Sequence, residues 1–266
     1  KYPKPVPTPI KNLRPAQETC EQCHWPSKFV GNLDRTYNYF LGEETNTPFS
    51  VRLTMKVGGA DPTHGPVGGI HWHMNVGNKV QYVATDEARQ KIPWVRMVDK
   101  QQGIVTEFRT PGFTNTVAES EMRTMDCMDC HNRPAHKYMS PDKAVNLAMS
   151  LPDQIDRTLP WIKTNAVFAL TRSYTNETLA LQGIATILAE RYPREKFPAA
   201  QESVKKAIDA LQKIYSNNFF PEMNASWDKY PDNIGHLIWP GCFRCHDGKH
   251  QTPDGKRSIK ASDCNT

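Results

Sequence analysis

Long apolar stretches are missing from this chain. No run reaches the about 18 consecutive apolar residues that mark a membrane-spanning helix. The first fifteen residues, rich in Pro and Lys, contain neither an initiator methionine nor the apolar segment of a secretory leader. Apolar residues are scarce throughout: they make up 38% of the 266 residues, and the mean hydropathy is −0.64. A core built from side chains alone would be thin for this length. A basic stripe is also lacking. The formal charge is +5, but the lysines and arginines are scattered, so nucleic acid is not an expected partner. Nor is any cysteine isolated in an unpatterned context.

Three times the chain spells Cys-x-x-Cys-His, at Cys20, Cys23 and His24, at Cys127, Cys130 and His131, and at Cys242, Cys245 and His246. The seventh cysteine, Cys264, reads as the start of a fourth copy, with Cys-His expected directly after Thr266. Zinc ribbons, thioredoxin-like redox sites and disulfide staples also pair cysteines, but none needs a histidine beside the second one. Histidine is 9 of 266 residues, so its presence after all three pairs has a chance probability of roughly 4 × 10⁻⁵. The pattern is the attachment signature of haem c: two thiols add to the porphyrin vinyl groups as thioethers, and the adjacent imidazole becomes the proximal iron ligand. Three complete sites and a fourth at Cys264 are expected.

Haem changes what composition implies. Each porphyrin brings an apolar face for side chains to pack on, so folding is expected to depend on haem insertion. With two propionates per haem, four haems would move the charge from +5 to about +1 oxidised and about −3 reduced. Covalent attachment requires thiols and haem to meet outside the cytosol, so the expected location is the periplasm or the extracellular face. The chain is expected to be the trimmed product of a protein that had a leader or an inner-membrane anchor.

Along the sequence, the prolines at 3, 5, 7, 9 and 15 favour an extended tether. Phe29, Tyr37, Tyr39 and Phe40 are candidates to pack on a porphyrin or in an ordinary core. Five short β-branched or aromatic segments, 49–57, 69–76, 79–85, 94–99 and 104–109, read as strands of one small antiparallel sheet. Ser140-Pro141-Asp142 reads as a helix cap with proline at the first helical position. Helices are expected from there through about 149, then over 160–173, 176–191 and 198–216, the last with Val204, Ala207, Ile208, Leu211 and Tyr215 on one face. The expected fold class is α+β: haem-organised loops, a small antiparallel β insert and a helical segment. The divisions are 1–46 with the first motif, 47–117 for the insert, 118–139 with the second motif, 140–220 for the helices, and 221–266 with the third motif and the partial fourth.

His24, His131 and His246 are the proximal ligands, leaving His64, His71, His73, His136, His236 and His250 as distal candidates. His136 follows His131 too closely to cross its own porphyrin, so it is expected to reach a neighbouring haem; His250 repeats the arrangement one residue shorter, and His236 stands six residues before Cys242. If 69–76 is a strand, His71 and His73 share one face with Trp72 opposite. His64 sits in the turn-like Asp-Pro-Thr-His-Gly-Pro. Methionine is the alternative distal ligand, with Met55, Met74, Met125, Met128 and Met139 nearby. Two imidazoles per iron would leave no open position for substrate, which suits electron transfer.

The Cys-x-x-Cys-His set, with Cys-Met-Asp-Cys-His-Asn-Arg-Pro-Ala-His in its second copy, resembles the NapC/NirT family of multihaem cytochromes c. That resemblance implies an inner-membrane anchor, transfer of electrons from quinol to periplasmic partners, and a distal role for His136. It covers the motifs and their neighbours. The large β insert and helical stretch depart from a small tetrahaem member. The leading expectation is an electron carrier between a quinol- or membrane-linked donor and a redox partner protein, without substrate chemistry of its own. The alternatives are a haem enzyme of the nitrite or hydroxylamine type, with an open iron at the first motif, and a structural subunit of a larger haem assembly.

Overall fold

The computed structural model of the chain describes residues 4–9, 16–20, 22–24, 31–58, 69–74, 77–133 and 137–262. Phe29, His64, His136 and Cys264 lie outside them. In chain order the described elements are α1 (Ala16–Thr19), β1 (Asn32–Phe40), β2 (Pro48–Lys56), a 3-10 helix (Gly69–Met74), β3 (Asn78–Val83), β4 (Trp94–Asp99), β5 (Ile104–Arg109), β6 (Arg123–Thr124), α2 (Cys127–Cys130), α3 (Pro141–Ser150), α4 (Ile162–Thr171), α5 (Glu177–Arg191), α6 (Gln201–Asn218), β7 (Phe219–Phe220) and β8 (Ala225–Ser226), with further short 3-10 turns between them. Two compact units emerge, one made of Lys1–Pro7, Thr36–Leu53 and His136–Tyr230, the other of Thr8–Arg35, Thr54–Ala135 and Pro231–Thr266.

The first unit is built on α3 to α6. Ser140 caps α3 by accepting from the Lys143 N–H, with Pro141 in the first turn, and Asn176 caps α5 through the Leu179 N–H at 2.9 Å. No side chain of its own caps α4, whose preceding residue Trp161 is left-handed at φ 61°. Asn46 does so from a distance in sequence. Its Oδ1 accepts from the Lys163 N–H at 3.0 Å, while its amide donates to the Arg157 and Leu159 carbonyls. The apolar stripe of α6 faces inward as its spacing predicts: Val204, Ala207, Leu211 and Tyr215 are buried, with Ile208 packed alongside. They join Val145, Ile162, Leu170, Ile184 and Leu188 in one continuous core, which also takes in Phe40.

β1 and β2 form a separate two-stranded ribbon. Cross-strand bonds from Ser50 to Asn38 at 2.7 Å and from Thr54 to Asp34 at 2.6 Å fix an antiparallel pairing. Most of both strands is exposed, and Tyr39 stacks on Phe49 with ring centres 5.3 Å apart.

In the second unit the sheet runs β5-β4-β3-β6, antiparallel at every described pair. Its register sets Trp94 opposite Arg109 on one side and Val83 on the other. Two expectations change here. The segment 49–57 does not join this sheet, because β2 pairs with β1. The expected strand over 69–76 is not one either where it is described, since Gly69–Met74 is a 3-10 helix. Gly69, at φ +69°, explains the difference: a Cβ there would lie 2.1 Å from the Lys56 carbonyl oxygen, so the chain turns tightly where only glycine fits. The apolar cluster in this unit is small, with Val80, Tyr82, Ile92 and Val95 buried and Trp72, Ala84, Met125, Cys245 and Ile259 packed around them.

Candidate haem-binding site

In each Cys-x-x-Cys-His motif the histidine N–H closes a turn back onto the carbonyl of the first cysteine. The His24 N–H donates to the Cys20 carbonyl at 2.8 Å, His131 to Cys127 at 2.7 Å and His246 to Cys242 at 3.0 Å. Residues three apart on such a turn project from one side, so both sulfurs of a motif face the same way. The six described cysteines, Cys20, Cys23, Cys127, Cys130, Cys242 and Cys245, form no disulfide. Burial pushes the thiol of Cys130 up to about 11 and that of Cys245 up to about 12. No cluster of three or more His, Cys, Asp or Glu able to hold a bare metal ion occurs among the described residues.

The sheet holds the second and third motifs. β6 pairs with β3 and leads directly into α2, whose start is a reciprocal cap: Asp126 accepts from the Met128 N–H at 2.8 Å, and Asp129 accepts from the Asp126 N–H at 2.7 Å. Asp129, only 2% exposed, is the hub of the motif. Its Oδ1 accepts from the Tyr82 hydroxyl at 2.6 Å, from Arg123 at 2.9 Å and from Arg89 at 3.3 Å. Its backbone carbonyl accepts from Arg244 at 2.8 Å and from Asn233 at 3.1 Å. Arg244 lies between the cysteines of the third motif, so one buried guanidinium ties two motifs together. It also donates to the Gly241 and Arg89 carbonyls. The third motif is anchored further by a two-way bond between Gln251 and Arg109 at the end of β5.

In the sequence Asp129 and Arg244 are simply variable positions between the paired cysteines. The spacing Asp126-Cys-Met-Asp129 carries a capping signal that could have singled out Asp129. Nothing local marks Arg244, Tyr82 or Asn233.

The distal candidates separate clearly. His71 faces His131, with ring centres 6.4 Å apart and planes 5° from parallel. His73 faces His246, with centres 5.9 Å apart and planes at 85°. In a strand the two would have shared a face; a 3-10 helix advances about a third of a turn per residue and sends them to different motifs. The His71 Nδ1 donates to the Val57 carbonyl at 2.6 Å, and the His246 Nδ1 to the Lys260 carbonyl at 3.0 Å, which leaves Nε2 of each ring as the nitrogen with a lone pair. Burial, and then the nearness of His246, lowers His73 to about 4, so it stays neutral near pH 7. His24 is exposed. His236 is also exposed and stacks on Phe243 inside the third motif, ring centres 4.1 Å apart. His250 is fully buried, with Nδ1 2.9 Å from the Asp247 carboxylate and Nε2 2.7 Å from the Ile92 carbonyl. Both of its nitrogens are therefore taken by protein acceptors. Of the methionines, Met125 packs into the apolar cluster.

No family model matches the chain, and no solved structure does. It is 42% identical, over 270 residues, to the cytochrome c-type protein ImcH of Geobacter sulfurreducens, an alignment covering 99% of this chain and 52% of the relative. The chain thus spans about half the length of that protein. The likeness supports a c-type cytochrome. Haem c is the cofactor it implies, and the residues fit that group. Two metal–nitrogen bonds of about 2 Å, plus about 1 Å from nitrogen to ring centre on each side, put axial imidazole centres roughly 6 Å apart. Both histidine pairs meet that span, each beside a turn that presents two sulfurs.

Proposed function

We propose that this chain is a multihaem c-type cytochrome that transfers single electrons between a quinol- or membrane-linked donor and a redox partner protein outside the cytosol. The observation that carries the reading is the pairing of His131 with His71 and of His246 with His73, each at the span of two axial ligands. Haem c would be bonded through Cys20 and Cys23, Cys127 and Cys130, and Cys242 and Cys245, with a further group starting at Cys264. When bound, it supplies one-electron chemistry at iron. The chain's own residues hold and orient it. The cysteines would hold the porphyrin through thioethers, the motif histidines would bind its iron, and His71 and His73 would be the second ligands that keep substrate from it. Val57 and Lys260 set which ring nitrogen faces inward. His236 remains a candidate on the described surface, as do His64 and His136 outside it.

The resemblance to NapC/NirT cytochromes supports a membrane-linked donor and an inner-membrane anchor. Mass spectrometry of the purified protein tests the attachment sites, and spectra of the ferric and reduced forms test the role. Low-spin iron with no carbon monoxide binding supports a carrier. A high-spin fraction that binds carbon monoxide supports the enzyme alternative, and a colourless, unmodified polypeptide overturns both.

A further inference from the structure

We propose that the 3-10 helix Gly69–Met74 caps two irons at once, and that it does so in two different orientations, making the haems of the second and third motifs electronically unequal neighbours. This rests on the haem-carrying reading above. The ring planes are parallel to within 5° in the His71–His131 pair and stand at 85° in the His73–His246 pair. The orientation of two of the four rings is set by backbone: His71 donates to the Val57 carbonyl and His246 to the Lys260 carbonyl. Trp72, edge-on to His73 with centres 5.8 Å apart, packs into the apolar cluster of the sheet and braces the helix between its two histidines.

The position along the chain makes the two irons close. Ligands two residues apart have α-carbons separated by at most about 7 Å, so both irons must be reached from one turn of backbone. The tie through Arg244 brings their two motifs together independently.

The plane angle determines how each iron's electrons are arranged. An imidazole donates from the filled orbital normal to its ring into one of two otherwise equivalent iron d orbitals. Parallel rings both raise the same orbital and split the pair; perpendicular rings raise one each and leave the pair nearly equal. A ferric low-spin iron of the first kind gives a spread, three-feature electron paramagnetic resonance spectrum. One of the second kind concentrates its signal at a single large g value.

The experiment is low-temperature electron paramagnetic resonance on the oxidised full chain with its haems, as wild type, His71→Ala and His73→Ala, with haem counted by mass spectrometry in each. The wild type is expected to show both signal types. His71→Ala should convert one haem equivalent of the three-feature signal to high spin and leave the large-g signal; His73→Ala should do the reverse. Added imidazole should restore low spin in each variant. The proposal is overturned if the wild type lacks a large-g signal, if both substitutions remove the same signal, if neither removes any, or if the two effects are exchanged. Should a variant fail to accumulate, the wild-type spectrum still decides through the large-g signal. Wild-type protein without covalent haem overturns the underlying reading instead.

Discussion

At the scale of single residues, the polar side chains that position the motifs matter as much as the motif residues. Asp129 is a buried carboxylate matched by Tyr82, Arg89 and Arg123. Removing one member of a buried charge group leaves the others uncompensated, at a cost of about 3–5 kcal/mol. Arg89 and Arg123 are 26% and 36% exposed, so water relieves part of that. Asp129→Ala is therefore expected to cost about 3 kcal/mol in denaturant unfolding of the haem-loaded protein, and Tyr82→Phe about 1 kcal/mol. An unchanged midpoint for Asp129→Ala would show that the network does not hold the second motif. His250 offers a contrasting case. Its two ring nitrogens lie within hydrogen-bond distance of the Asp247 carboxylate and the Ile92 carbonyl, which clamps the third motif to the residues just before β4. His250→Ala should then lose about 1–3 kcal/mol of stability while every low-spin haem signal persists. The appearance of a high-spin haem in that variant would instead identify His250 as an iron ligand.

At the scale of elements, the 3-10 helix is the piece whose geometry the sequence concealed. Ile-His-Trp-His-Met alternates as a strand does, and nothing in it announces a three-residue turn. The turn is imposed by the approach of the Lys56 carbonyl to Gly69 and by the bond from His71 to Val57, both contacts with a segment twelve or more residues away in the chain. Gly69→Ala forces a side chain into that carbonyl at an unfavourable φ. It should displace the helix and lower the low-spin fraction at two haems together, read from the ferric spectrum; an unaltered spectrum would show that the helix is not held by this contact. The strands β4 and β5 and the helices α3, α5 and α6 were legible to within a few residues because their periodicity and caps are local. The first ribbon strand, β1, was not: Asn-Leu-Asp-Arg-Thr-Tyr-Asn-Tyr-Phe is mostly polar and stays exposed, so no buried face stamps a pattern on it. The residues that brace the motifs escaped for a further reason, since Tyr82, Asn233 and Arg244 meet Asp129 only through the fold.

At the scale of the whole molecule, the two units differ in what keeps them folded. The helical unit contains none of the Cys-x-x-Cys-His motifs and has a continuous apolar core running from Phe40 to Phe219. At about 25 cal/mol per Å² of apolar surface buried, a core of that extent is the larger share of what the side chains contribute. The sheet unit contains all three complete motifs, yet among the described residues its buried apolar cluster is Val80, Tyr82, Ile92 and Val95 with a few partners. Porphyrin faces and iron–imidazole bonds would supply what is missing there, tying the 3-10 helix to the second and third motifs. Haem dependence is thus expected to be confined to one unit rather than spread over the chain. A variant with Cys127, Cys130, Cys242 and Cys245 all replaced by alanine should retain the far-ultraviolet signature of α3 to α6 and slow amide exchange across them. The amides of β3, β4 and β5 should exchange rapidly. If the strands keep the protection they have in the haem-loaded protein, the sheet folds on its own side chains, and attachment at these two motifs adds redox chemistry to a scaffold that is already complete.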